Sequence, residues 1–174
     1  ERHLAMIDDD RVVHPFNWGM EFINTHANGS DPRRFFSEFS KNAVSNSEEF
    51  FFAPEISNFR SQISDQEANL VDVTWTSGIT TTSPENNTAY AKFFPHQANK
   101  KAAVLILPHW NAKPGTYFDL CRLFNKLGIS AMRLTLPYHE ERKPPETNRA
   151  DYLVAPNVGR TLQSLQQAVV DTRA

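Results

Sequence analysis

His109, Trp110 and Asn111 are the residues whose place in the sequence best fits chemistry. They follow an apolar segment, residues 102–107, that reads Ala-Ala-Val-Leu-Ile-Leu and is ended by Pro108. A helix is predicted shortly after them, so the loop offers backbone N–H groups between a strand end and a helix N-terminus. Such groups can stabilise the negative charge that develops on an acyl-transfer intermediate. The alternative is that His109 and Trp110 only cap the sheet edge, with His109 hydrogen-bonded to the backbone.

A second polar loop, residues 137–149, follows the next predicted strand and places Tyr138 and His139 at its carboxyl end. Ligands of parallel α/β sheets bind at these ends, so both residues are candidates to line a pocket. His139 begins a charged run with two glutamates, an arginine and a lysine. The run is not a zinc-binding H-E-x-x-H helix, because Lys143 takes the second histidine's place. We therefore expect a solvated charged loop. A metal enzyme using His109 and His139 stays open as an alternative that requires a third ligand.

The remaining reactive side chains favour structural roles. Cys121 lies among core-facing positions of a predicted helix, and a buried thiol outside an electropositive, accessible setting is not a nucleophile. Asp151, Asn157 and Arg160 precede or open the last predicted helix, where loop fixing and capping are the favoured roles. The six glycines are at least ten residues apart, which excludes G-x-G-x-x-G, the P-loop and G-x-S-x-G. We therefore expect no catalytic nucleophile within these residues.

Composition limits the possible partners. The chain has 174 residues, about one domain. Its net charge is −2, from 18 basic and 20 acidic residues, so it lacks the excess of basic residues that is typical of nucleic-acid binding. A single cysteine excludes a disulfide framework. The longest apolar run falls far short of the ~20 residues that a membrane helix needs. No signal segment begins the sequence, so we expect a cytoplasmic protein. We also expect no membrane span, no metal and no cofactor.

Two regions must position the candidate residues. Residues 1–64 hold nine of the thirteen phenylalanines and predict a helical arm. Asp31 followed by Pro32 is a typical helix start, so we expect a helix over residues 32–44, with a shorter one over 17–25. The three consecutive phenylalanines at 50–52 are expected to anchor the arm to a core.

Residues 65–174 predict an α/β sheet. Residues 70–76 and 88–94 indicate an antiparallel pair, and residues 101–107 indicate a central strand that helices cover on both faces. A helix then begins at Thr116, with Asp119 as its capping partner, and ends at Gly128. The predicted packing face of this helix consists of Tyr117, Leu120, Leu123, Phe124 and Leu127.

The strand that follows, residues 129–136, is expected to pair in parallel with residues 101–107 through a right-handed crossover. A last helix begins near Asn157. Its predicted packing face consists of Val158, Leu162, Leu165, Val169 and Thr172. The predicted fold is thus α/β, an antiparallel strand pair followed by a strand–helix–strand unit and a helix.

This order resembles the first half of an α/β-hydrolase. The resemblance is carried by Ala-Val-Leu-Ile-Leu-Pro-His-Trp-Asn at 103–111, the helix through Leu127-Gly128, and Ile-Ser-Ala-Met-Arg-Leu-Thr-Leu-Pro-Tyr-His at 129–139. It implies that His109, Trp110 and Asn111 form an oxyanion-hole loop, with Trp110 in place of the family's usual glycine. The segment also resembles a bacterial branch of uncharacterised serine hydrolases, in which an aromatic-rich N-terminal segment precedes the sheet.

The resemblance further implies that the chain is the N-terminal portion of a serine hydrolase acting on an ester or similar acyl bond of a small molecule. In that family the helix from Asn157 leads into a fifth strand and the nucleophile elbow, so the Ser–His–acid triad is expected beyond Ala174. That fifth strand pairs with residues 102–107, which are a bare edge without it. A different class stays open: a non-catalytic half-sheet module that completes its sheet with a partner chain or by self-association.

Overall fold

A five-stranded mixed sheet organises the chain in the computed structural model, which describes residues 15–24, 31–65, 67, 69–96 and 102–174. The strands are β1 (Arg60–Ile63), β2 (Val71–Thr76), β3 (Thr88–Phe94), β4 (Ala103–Ile106) and β5 (Ser130–Leu134). The helices are α1 (Pro32–Ser45), α2 (Ser47–Phe50), α3 (Phe118–Lys126) and α4 (Val158–Arg173). Single 3₁₀ turns lie at Met20–Phe22, Pro84–Asn87 and Glu140–Arg142.

The strand order is β1-β2-β3-β5-β4. β1, β2, β3 and β5 pair antiparallel in turn, whereas β4 and β5 pair in parallel across α3. The predicted hairpin and the predicted parallel pair are therefore both confirmed. β1 lies within the segment predicted as a helical arm, and its four residues, Arg-Ser-Gln-Ile, are all exposed. No apolar alternation marks it, so the sequence gives little sign of this strand.

The prediction that residues 101–107 form a central, doubly covered strand is wrong for the described sheet. β4 lies at the edge and pairs only with β5 among the described strands. Ala103 is exposed and the Leu105 side chain is 39% exposed, whereas Ile106 is buried. One face of β4 therefore contacts the core, its other face is exposed, and no described strand pairs with its outer edge.

The start of α3 differs from the prediction. Thr116 does not cap the helix: its N–H donates to Lys113 O (3.0 Å), and Asp119 pairs with Arg122 (2.8 Å) instead of reaching back. The N-cap is Tyr117, in the left-handed region at φ 70° and without a side-chain cap. A tight turn that continues to Tyr117 explains the delayed start. Gly128, with φ 81°, ends the helix as predicted.

The packing faces of α3 and α4 also differ from the predicted ones. On α3, Phe118, Cys121 and Phe124 face the core, while the leucines at 120, 123 and 127 are 38–61% exposed. On α4, Leu165 and Val169 are exposed. The buried residues of α4 are Gly159, Ser164, Gln167, Val170 and Asp171. This largely polar face is buried because the loop before β3 supplies it with hydrogen-bond partners.

The two faces of the sheet carry separate core clusters. One, covered by α3, consists of Leu70, Phe94, Ile106, Cys121 and Ala131. The other consists of Val73, Trp75, Ala89, Ala91 and Leu134. Together they fix the strand ends from which the candidate loops leave.

The aromatic arm packs against α4. The predicted helix is confirmed as α1, whose Asp31 side chain accepts from the N–H groups of Arg33 and Arg34. The predicted helix over 17–25 is only one 3₁₀ turn, and its last residue lies outside the described residues. Residues 15–24 form a strap over the start of α4, joined by Asn17 N–H to Pro156 O (3.0 Å). Of the three phenylalanines at 50–52, the first two are partly buried and Phe52 is 68% exposed.

Candidate functional site

Strained backbone is concentrated in the two loops that leave the carboxyl ends of β4 and β5. Five non-glycine residues in the described part of the chain have positive φ, and four of them lie in these loops: Asn111 (57°), Tyr117 (70°), Tyr138 (62°) and Glu140 (48°). Left-handed backbone is unfavourable for residues with a Cβ and persists where the surroundings enforce it, often at functional sites. We therefore take the two loops as the candidate site.

His139 joins the two loops. Its Nε2 accepts from the Asn111 N–H (2.9 Å), and its Nδ1 lies 2.9 Å from Pro137 O. A carbonyl only accepts and an amide N–H only donates, so the hydrogen bonds assign the proton to Nδ1 and leave the Nε2 lone pair for Asn111. Burial lowers the pKa of His139, whose side chain is 3% exposed. His139 is therefore a neutral histidine that positions the loop after β4.

The chain around Ala150 fixes the loop after β4 from the other side. The Trp110 indole N–H donates to Ala150 O (3.0 Å), and the Ala150 N–H donates to Asn111 Oδ1 (3.0 Å). Arg149 stacks over the indole at 5.6 Å. Side-chain and backbone bonds on both flanks thus hold this loop in one geometry.

The three oxyanion candidates differ in their availability. The Asn111 N–H is occupied by His139. The Trp110 N–H has no hydrogen-bond partner in the described part of the chain. His109 is exposed, and its Nδ1 lies 3.1 Å from the Tyr117 hydroxyl. The His109 ring therefore contacts a side-chain hydroxyl, contrary to the alternative in which His109 bonds the backbone. Among the described residues the backbone N–H groups of His109 and Trp110 both lack a hydrogen-bond partner, so both are donors left for a ligand.

The prediction of a solvated charged loop after β5 is also wrong. Arg133, fully buried on β5, pairs with Glu140 at 2.5 Å and donates through Nε to Thr116 O (2.9 Å). This contact ties the loop after β5 to the start of α3. A charged residue inside an otherwise apolar strand is the signal in the sequence that a buried partner was needed.

Arg142 is buried too. Its Nη1 and Nη2 donate to Thr135 O (3.2 Å) and Asn86 O (2.9 Å), and burial lowers the pKa of its guanidinium. Asp171 Oδ2 lies 2.9 Å from Nη2 without hydrogen-bond alignment, while Asp171 Oδ1 accepts from the Ser77 hydroxyl (2.8 Å). The pair anchors α4 to the sheet. Sequence reasoning missed it because its two members are 29 residues apart.

The remaining candidate residues are buried. Tyr138 is buried, and its N–H donates to Asn86 Oδ1 (3.0 Å). Since both Tyr138 and His139 are buried, their role in lining a pocket stays a prediction. Cys121 is buried as expected, and burial raises the pKa of its thiol.

The zinc alternative does not gain support from the two histidines. His109 and His139 have separate hydrogen-bond partners, and both ring nitrogens of His139 are occupied. Among the residues that the structure describes, no three His, Cys, Asp or Glu side chains group in a way that could hold a metal ion.

No family model and no curated protein matches this chain. None of the helices in the described ranges is both long and apolar enough to cross a membrane. The site is a loop at a strand end that hydrogen bonds hold on two sides, and among the described residues the backbone N–H groups of His109 and Trp110 have no partner.

Proposed function

We propose that this chain is the N-terminal portion of a serine hydrolase that cleaves an ester or similar acyl bond of a small molecule. In this proposal the loop after β4 supplies the oxyanion hole. The observation that carries it is the unoccupied Trp110 N–H in a loop that His139 and Ala150 hold from two sides. A donor fixed in advance stabilises a developing oxyanion without reorganisation at the moment of reaction.

The chemistry would follow the Ser–His–acid template. A serine hydroxyl beyond Ala174 attacks the acyl carbon while the catalytic histidine takes its proton. The carbonyl oxygen becomes an oxyanion and accepts from the Trp110 N–H. A single oxyanion-hole donor contributes about 10²–10³ in kcat. His139 and Ala150 touch no reacting atom and act as positioning residues, because they hold Trp110 and Asn111.

The outer edge of β4 supports the same proposal. No described strand pairs with this edge, and Leu105 on β4 is 39% exposed. An apolar edge strand readily takes a further strand. The α/β-hydrolase resemblance expects a fifth strand at this edge, followed by the nucleophile elbow.

The test compares residues 1–174 with a version extended by the next ~150 residues of the reading frame, the scale of a domain. The substrate is a short activated ester. The proposal predicts turnover by the extended chain and none by residues 1–174. Robust turnover by the shorter chain would contradict the placement of the triad beyond Ala174.

The exposed edge of β4 also favours a second candidate, a non-catalytic module that completes its sheet by pairing with another chain or copy. Leu105, 39% exposed on β4, offers a matched variant. A defined dimer of residues 1–174 that Leu105→Lys converts to monomer would favour this candidate, because a lysine on an edge strand opposes pairing. A monomer with a complete cooperative melting transition would count against it.

A further inference from the structure

The Arg160 guanidinium is held between two aromatic rings. It lies 3.8 Å from the ring centroid of Tyr152, in the loop before α4, and 4.5 Å from that of Phe22, in the strap. Tyr152 is itself fixed, since its ring packs edge-on against Tyr138 and its carbonyl accepts from the Ser164 hydroxyl (3.1 Å). Contacts of this type orient a guanidinium plane but leave its N–H groups unused.

Arg160 has no counter-ion among the described residues. In the described part of the chain its guanidinium makes no hydrogen bond and no ion pair, and its Nε is buried without a partner. The Tyr152 hydroxyl is turned to Glu146 (3.3 Å). By contrast, the buried Arg133 and Arg142 both have carboxylate partners. A buried N–H without an acceptor is costly, and a bound anion that reaches the guanidinium would offset that cost.

The N–H groups of the first turn of α4 are already occupied. Those of Val158 and Gly159 donate to Asn17 O (3.1 Å) and Trp18 O (2.9 Å), and that of Arg160 donates to Asn157 Oδ1 (2.8 Å). An anion arriving here would therefore be bound by the guanidinium fork and not by the helix terminus. The fork matches the two oxygens of a carboxylate or phosphate group.

We propose that Arg160 binds an oxyanion, the carboxylate or phosphate group of a small molecule. Tyr152, on which the Arg160 guanidinium packs, lies two residues along the chain from Ala150, which fixes the oxyanion loop. As a statement about substrate class, the proposal rests on the proposed function: the hydrolase prefers acyl substrates that carry such a group. As a statement about binding, it stands on the geometry of Arg160 alone.

The binding test uses ¹⁵N-labelled residues 1–174. The Arg160 Nε–H resonance is followed during titration with sodium acetate or sodium phosphate, with sodium chloride keeping the ionic strength constant. A saturable shift is expected with at least one probe, and the responding probe distinguishes the carboxylate from the phosphate source. Absence of a saturable shift with either probe would overturn the proposal.

Two variants separate recognition from packing. Arg160→Met can still fill the space between the rings, because its thioether packs on aromatics. Because this variant has no Nε–H, binding is followed there by the backbone amides of Tyr152 and Val158, which should shift saturably in the native chain and not in Arg160→Met. Arg160→Lys keeps the charge without the planar fork and should bind at least tenfold more weakly. Arg33→Met removes an exposed arginine and should bind as the native chain does. Equal loss in Arg33→Met, or unchanged binding in both Arg160 variants, would overturn the assignment.

The extended chain tests the substrate class. For an activated ester that carries a terminal carboxylate or phosphate, matched to the probe that responds, kcat/KM in Arg160→Met should fall about tenfold. For the neutral ester it should change little. Equal loss on both esters would overturn the specificity role. Saturable binding without any ester turnover would leave the anion site standing and count against the proposed function.

Discussion

Replacing His139 tests how the candidate site is held together. His139→Ala removes both hydrogen bonds of the ring, the one from the Asn111 N–H and the one to Pro137 O, each 2.9 Å long. An unsatisfied buried donor costs about 1–3 kcal/mol, and the void left by the ring adds to that cost. We therefore expect the free energy of unfolding to fall by about 2–4 kcal/mol, a large share of the ~5–15 kcal/mol of a typical domain.

The assay is urea unfolding of residues 1–174 with a melting scan alongside. A loss of about 3 kcal/mol lowers Tm by roughly 6–12 °C in a chain of this size. His139→Gln retains an acceptor near the Asn111 N–H and should lose less than the alanine variant. His109→Ala is the matched control, because His109 is exposed and its change should stay within about 0.5 kcal/mol. Equal losses at positions 109 and 139 would refute the assigned roles.

Three further outcomes follow from buried contacts. Burial lowers the pKa of His139 in the folded protein, so the unfolded state binds a proton at a higher pH than the folded state does. The free energy of unfolding should therefore fall as pH drops below ~6.5. His139→Gln should flatten that part of a pH series of urea midpoints. Asp171→Asn leaves Arg142 buried without a counter-charge and should cost about 3–5 kcal/mol in urea unfolding, more than the double variant Arg142→Met/Asp171→Leu. Gly159→Ala places a Cβ 1.8 Å from Gly19 O, so the strap should detach and limited proteolysis within residues 15–24 should accelerate; unchanged cleavage would contradict the strap contact.

The elements with local signals could be predicted from the sequence. α1 begins where Asp31 and Pro32 indicate, and α4 begins after Asn157, because a cap is set by residues within one turn of it. The strands β2, β3 and β5 follow from their apolar patterns. The β2–β3 and β4–β5 pairs follow from connections that leave few topologies to choose from. The pairing of β3 with β5 joins strands that are separated along the chain by β4 and α3.

The orientation of the helices could not be predicted in the same way. The buried side of α4 is chosen by Gln167 and Asp171, whose partners Asn86 and Ser77 are 81 to 94 residues away. Apolar spacing cannot reveal that polar groups will be buried when distant partners satisfy them. The same holds for His139, whose bond to Asn111 joins two loops that are not adjacent in sequence.

In the proposed hydrolase, the loop after β4 serves a nucleophilic serine located beyond Ala174. The most direct measurement is labelling of the extended chain with a fluorophosphonate, a probe that reacts with activated serines, followed by peptide mass spectrometry. We expect one labelled serine after residue 174 and no labelling of residues 1–174 alone. A labelled serine within residues 1–174, or an extended chain that the probe does not modify, would contradict it.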